Sequence, residues 1–268
     1  MIASYAAPGF DRFRMSFLLL LLPLTLLHAA QKPPIEATFY APQLREIDVA
    51  IQEGIAQKNL PGGVFWLEHK EVRHTRAYGR RALDPRPEPM TADTVFDAAS
   101  LTKVIATTPS VMLLIQRGKI GLESPVSRYL PRFTGEGRDG VTVRHLLTHT
   151  SGLRPGLSRQ PLWQGYDTAI DLAIREKPDP APGAAFRYSD INFILLGEIV
   201  RQVAGEPLNR FAERELFRPL KMKDTRFLPS PSLTRRTAPT ENRKSFTNSL
   251  PRRSLNLRAS AIFWNESS

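Results

Sequence analysis

A chain of 268 residues with 41% hydrophobic and 24% charged side chains has the make-up of a folded globular protein and not of a disordered or fibrous one. The absence of cysteine excludes disulfides, thiolate metal sites, a Cys nucleophile and a lipid-modified N-terminal Cys. A formal charge of +11 favours anionic partners, but the basic residues cluster only between Arg235 and Arg258 and interleave with no base-stacking aromatic series, so no nucleic-acid role is expected.

Arg12 and Arg14 precede an apolar run, 17–27, which is followed by Ala29 and Ala30. Charge, apolar stretch and small residues in that order predict a secretory signal peptide over 1–30, with the mature chain beginning near Gln31 in the periplasm or outside the cell. The run is about half of the roughly 20 residues a spanning helix needs, so no stable membrane span is expected after cleavage. Next, Leu44, Ile47, Ile51 and Ile55 stand at helical spacing and predict an amphipathic helix over 43–58, stopped by Pro61, Gly62 and Gly63. Residues 64–68 and 72–78, with charged residues between them, predict a hairpin or two neighbouring antiparallel strands, and 84–89 a Pro-rich loop. From Ser100, the apolar face of Leu101, Val104, Ile105, Val111 and Met112 predicts a helix that Pro109 bends or divides and Gly118 ends. Further helices are expected over 143–148, 167–174, 190–204 and 208–216. No repeat is visible, which excludes a solenoid. Residues 241–268 lose both periodicities, are rich in Ser, Asn and Arg, and hold one apolar cluster at 261–264, so they are expected to form a disordered tail behind a domain over 31–240.

Ser100 and Lys103 lie three apart at a helix start, which puts both side chains on one face and the amine within reach of the hydroxyl. A desolvated Lys can take the hydroxyl proton, and a helix N-terminus is expected to lower its pKa and to stabilise developing negative charge. By itself the pattern arises about once by chance in a chain this long, and a capping Ser beside a solvated Lys is the plain alternative. The neighbours change this. Phe96-Asp97-Ala98-Ala99-Ser100-Leu101-Thr102-Lys103 is followed by Gln116-Arg117-Gly118-Lys119-Ile120, Ser124-Pro125-Val126 and Tyr129-Leu130-Pro131. Then come Val143-Arg144-His145-Leu146-Leu147-Thr148-His149-Thr150-Ser151-Gly152-Leu153 and Tyr188-Ser189-Asp190-Ile191-Asn192.

This ordered series resembles the class C β-lactamase and D-alanyl-D-alanine carboxypeptidase family, with its esterase relatives, over 43–241. The resemblance implies an α/β (α+β) β-lactamase/transpeptidase-like fold with a helical region and an antiparallel sheet. It also implies a serine hydrolase in which Ser100 attacks a carbonyl, Lys103 assists and Tyr188 serves as general base and acid. A phenol can do so at neutral pH only beside positive charge, which Lys103 supplies. The implied substrates are small-molecule or peptidoglycan-derived acyl compounds: β-lactams, D-alanyl peptides or esters. No metal or organic cofactor is implied.

Two features depart from the family pattern. Where the family has Tyr-x-Asn, this chain has Tyr188-Ser189-Asp190; Asp190 in a substrate-binding role keeps the acceptor of an amide and loses its donor, and it is also a candidate N-cap for the following helix. The family closes its site with a strand bearing Lys-Thr-Gly or His-x-Gly, which supplies an oxyanion donor, and no such strand is readable after Glu241. The C-terminal strands are therefore expected to be missing, which opens a second reading: an inactive truncated remnant that at most binds cell-wall peptide. His145 and His149, four apart, have a zinc-compatible spacing on a helix, but the Glu of a His-Glu-x-x-His hydrolase is absent. The resemblance assigns them to structure.

Overall fold

The computed structural model describes residues 35–84, 86–158, 160–240 and 263–264. After a short α1 (Ile35–Thr38), helix α2 (Ala41–Ala56) begins and ends two residues before the predicted 43–58 and leads into strands β1 (Gly62–His69) and β2 (Val72–Ala82). These pair antiparallel with Gly62 opposite Gly79 and His69 opposite Val72. The connecting residues Lys70 and Glu71 both have positive φ, 47° and 66°. That is the twist a two-residue hairpin loop needs, although neither residue is of the Asn or Gly type that usually signals it. A short β3 (Glu88–Pro89) completes the sheet in the order β1-β2-β3. Asp48 of α2 accepts hydrogen bonds from Tyr78 and Arg76 of β2, which locks the helix to the sheet.

Strand β4 (Phe96–Asp97) then delivers the chain to the segment that begins at Ser100. This segment starts as a 3-10 turn (Ala99–Leu101), passes through a π-helical stretch (Lys103–Thr107) and becomes regular in α3 (Thr108–Gln116). Pro109 is the cause of the irregularity expected there: it has no N–H to offer, and the N–H before it, from Thr108, reaches back five residues to the Lys103 carbonyl.

The rest of the described chain is helical. Helix α4 (Val143–Leu147), α5 (Tyr166–Arg175), α6 (Asp190–Ala204) and α7 (Leu208–Ala212) with its π-helical continuation Glu213–Phe217 follow the predicted order, and a short α8 (Pro231–Thr234) that the sequence did not predict comes after them. Helix α6 is the hub. Its Ile191, Leu195, Leu196 and Ile199 are fully buried in one cluster with Val111 of α3 and Leu146 of α4. Each such side chain contributes about 1.5–3 kcal/mol on leaving water, so the end of α6 that carries Asp190 is firmly placed.

The predicted signal peptide, 1–30, lies outside the described residues, and so does the predicted tail over 241–268 apart from Phe263 and Trp264. These two form β5 (Phe263–Trp264), antiparallel to β4, with Trp264 opposite Phe96 and Phe263 opposite Asp97. Strand β4 is flanked by a second tie, in which Val95 N–H bonds to the Arg236 carbonyl at 2.9 Å and Ala238 N–H to the Val95 carbonyl at 2.8 Å.

Candidate active site

Ala99 sits in the left-handed region, φ 43°, immediately before Ser100, and its N–H is held by Asp97 Oδ1 at 2.8 Å. A non-glycine residue there costs on the order of 1 kcal/mol. The sharp turn presents Ser100 to solvent at the start of the helix. One turn on, Lys103 Nζ donates to Ser100 Oγ at 3.2 Å, as the three-residue spacing predicts. The same ammonium is 2.7 Å from Asp190 Oδ1 and 5.1 Å from the centroid of the Tyr188 ring. Ser100 Oγ and Asp190 Oδ1 thus both lie within hydrogen-bonding distance of its three protons. The four residues singled out from the sequence therefore gather around this ammonium.

This arrangement corrects two sequence expectations. Burial does pull the Lys103 pKa down, but the hydrogen bonds and charge of Asp190, with Tyr188, outweigh it, and the net shift is upward. Lys103 is thus held as a cation and donates to Ser100. Asp190, for its part, does not cap α6. Ser189 occupies the cap position, with its hydroxyl donating to the Arg154 carbonyl, and Asp190 is the first helical residue with its carboxylate on Lys103.

His149 is the residue whose role the sequence did not disclose. Helix α4 ends at Leu147, so His149, φ 56°, leaves the helix and does not share a face with His145. His145 instead completes a capping box: Thr142 N–H donates to His145 Nδ1 at 3.2 Å, and His145 N–H to Thr142 Oγ1 at 3.3 Å. His149 brackets Tyr188 along the backbone. Arg187 N–H donates to the His149 carbonyl at 2.8 Å, and Ser189 N–H donates to His149 Nδ1 at 3.1 Å. Its ring lies against the Tyr188 ring with centroids 4.5 Å apart. Beneath it, the buried Asn192 approaches His149 Nδ1 at 3.3 Å and accepts from Ser151 Oγ at 2.6 Å. With two donors aimed at Nδ1, the imidazole proton belongs on Nε2. Burial, then the Lys103 charge, hold the His149 pKa below its ordinary value, with Asp190 pulling the other way. No group of three or more His, Cys, Asp or Glu able to hold a metal occurs among the described residues.

The arrangement can perform nucleophilic acyl transfer: an exposed hydroxyl, a fixed cation beside it, and a phenol ring next to that cation. Comparison with known proteins agrees in kind. The family model described as Beta-lactamase matches residues 47–261, past the boundary at 240 read from the sequence. An N-acetylmuramyl-L-alanine amidase of Bacillus subtilis (strain 168) is 32% identical over 213 residues, 72% of this chain and 48% of that protein. Esterase EstB of Burkholderia gladioli is 32% identical over 204 residues, 68% of this chain and 51% of that protein. A solved class C beta-lactamase superposes with a TM-score of 0.71 at 25% identity, over 86% of this chain and 64% of that one. The chain spans about half the length of the two curated relatives.

Proposed function

The chain belongs to the Beta-lactamase family, and on that premise we propose that it is a serine hydrolase working through an acyl-enzyme at Ser100 on esters, β-lactams or D-alanyl peptides. The observation that carries this reading is the approach of Ser100 and Asp190 to Lys103 Nζ, with the Tyr188 ring beside the same ammonium. In the proposed reaction Ser100 Oγ bonds to the acyl carbon while its proton passes to Tyr188 Oη. Tyr188 hands its own proton to the leaving oxygen or nitrogen, and the C–O or C–N bond breaks. Water then attacks the acyl-Ser100 ester, with Tyr188 moving protons in the reverse sense, and the acid leaves with Ser100 restored. Lys103 stays charged throughout and stabilises the negative charge that develops beside it. An exported location belongs to the same proposal and is supported by Arg12, Arg14 and the apolar run at 17–27.

Hydrolysis of p-nitrophenyl butyrate tests the reading. Ser100→Ala and Lys103→Met should each lower kcat/KM by about a thousandfold or more. Wild-type rates in Ser100→Ala would overturn it. Binding of a penicillin without turnover or adduct would favour the inactive binder instead.

A further inference from the structure

We propose that Asp190 makes this site select neutral or cationic acyl donors over anionic ones; the inference rests on the hydrolase reading above and names its substrate class. Asp190 Oδ1 is 2.7 Å from Lys103 Nζ, which is itself 3.2 Å from Ser100 Oγ, so the carboxylate lies within about 6 Å of the nucleophile. The two charges cancel in sum but not in place. The Lys103 side chain is 13% exposed and that of Asp190 57% exposed. The ammonium is the more buried of the two charges, and an arriving substrate meets the carboxylate first.

Penicillins, cephalosporins and D-alanyl-D-alanine peptides carry a carboxylate on the side of the leaving group, whereas simple esters and amides do not. A substrate carboxylate brought to Ser100 therefore comes close to Asp190. At such distances the repulsion near a protein surface amounts to between a few-fold and about a hundredfold in affinity. The net charge of +11 acts in the opposite direction and draws anions toward the molecule. That field is screened beyond about 8–10 Å at physiological salt, so it assists encounter and leaves the choice at the nucleophile to the nearby carboxylate. Hydrogen bonding points the same way: a carboxylate accepts and cannot donate, so it favours substrate N–H or ammonium groups and offers nothing to a carbonyl or carboxylate.

The test compares kcat/KM for methyl 3-(butyryloxy)benzoate with kcat/KM for 3-(butyryloxy)benzoic acid, which has the same acyl group and a carboxylate on the leaving group, and with nitrocefin. Wild type should prefer the neutral ester. In Asp190→Asn the ratio of neutral to anionic rates should fall about tenfold, and in Asp190→Glu, which keeps the charge, it should be retained. Hydrolysis of the esters with a ratio unmoved by Asp190→Asn, or a wild-type preference for the anions, overturns the inference while leaving the hydrolase reading intact. No hydrolysis of any of the three substrates overturns the reading and the inference together.

Discussion

Tyr188 is useful only if its ring stays beside Lys103, and the residue packed against it is His149. The imidazole acceptor for Ser189 N–H and the carbonyl acceptor for Arg187 N–H fix the chain on both sides of the phenol. His149→Phe keeps a ring against Tyr188 and loses the Nδ1 acceptor. It should lower kcat for p-nitrophenyl butyrate by roughly ten- to a hundredfold with KM little changed. His149→Asn, whose side chain supplies an acceptor and tolerates positive φ, should recover part of that loss. A purely structural His149 would instead lower the melting temperature and leave kcat per folded molecule unaltered. Protonation of Nδ1 also removes the acceptor. Because burial and Lys103 hold the His149 pKa below its ordinary value, the neutral ring and its contribution persist through neutral pH and are lost as pH falls through the lowered value. A pH–rate profile with an acid limb in wild type and without it in His149→Asn would show this. Ser100 and Lys103 were legible as a pair at helical spacing, but only the ordered neighbouring motifs and their resemblance to the family singled them out together with Tyr188 and Asp190. His149 was not legible, since its function depends on where α4 stops. Nor was the raised pKa of Lys103, which depends on a carboxylate 87 positions away in the chain.

Among the elements, α6 bears the most consequence, because it carries Asp190 at one end and the hub of the core along its length. Its buried Glu198 accepts from Tyr166 Oη at 2.5 Å, from Gln202 Nε2 at 2.6 Å and from Arg201 at 2.7 and 2.8 Å, which fastens α5 to α6. Burial raises the Glu198 pKa, but Arg201, Tyr166 and Gln202 outweigh it, so the net shift is downward. Stability from this group is complete above the ordinary carboxylate pKa and is lost as pH falls through the lowered one. Glu198→Gln should cost about 2 kcal/mol near pH 7, or roughly 4–8 °C in melting temperature, and the difference from wild type should narrow in acid. An equal melting temperature at pH 7 would contradict the account. Helices with strong apolar periodicity were read to within a few residues, and α6 was read to its ends. The π-helical stretches at Lys103–Thr107 and Glu213–Phe217 were read as plain helix, since a single residue inserted into a turn barely alters the apolar pattern. The exposed Leu101, Val104 and Met112 belong to that pattern too, so periodicity gave the helix without revealing that part of its apolar face meets solvent. Val104→Ser should therefore change the melting temperature by no more than about 2 °C. A larger drop would show that this face is covered.

At the scale of the whole molecule, a three-stranded sheet, an irregular helix opening at the nucleophile and a helical layer centred on α6 bring two distant stretches of chain, 100–103 and 188–190, to one ammonium. Their order along the sequence announced the family before any geometry was available. The pairing of β5 with β4 beside the nucleophile turn was not announced, because a two-residue strand inside a Ser- and Arg-rich stretch leaves no periodic signal. The central claim is that Ser100 forms the acyl-enzyme. Intact mass spectrometry after exposure to a fluorescent penicillin and, separately, to an activated neutral ester measures it most directly. The account predicts a mass gain of one acyl group per chain, with the ester giving the faster reaction, mapped to the peptide containing Ser100 and lost in Ser100→Ala. An adduct that persists in Ser100→Ala, or no adduct from either reagent, would contradict it.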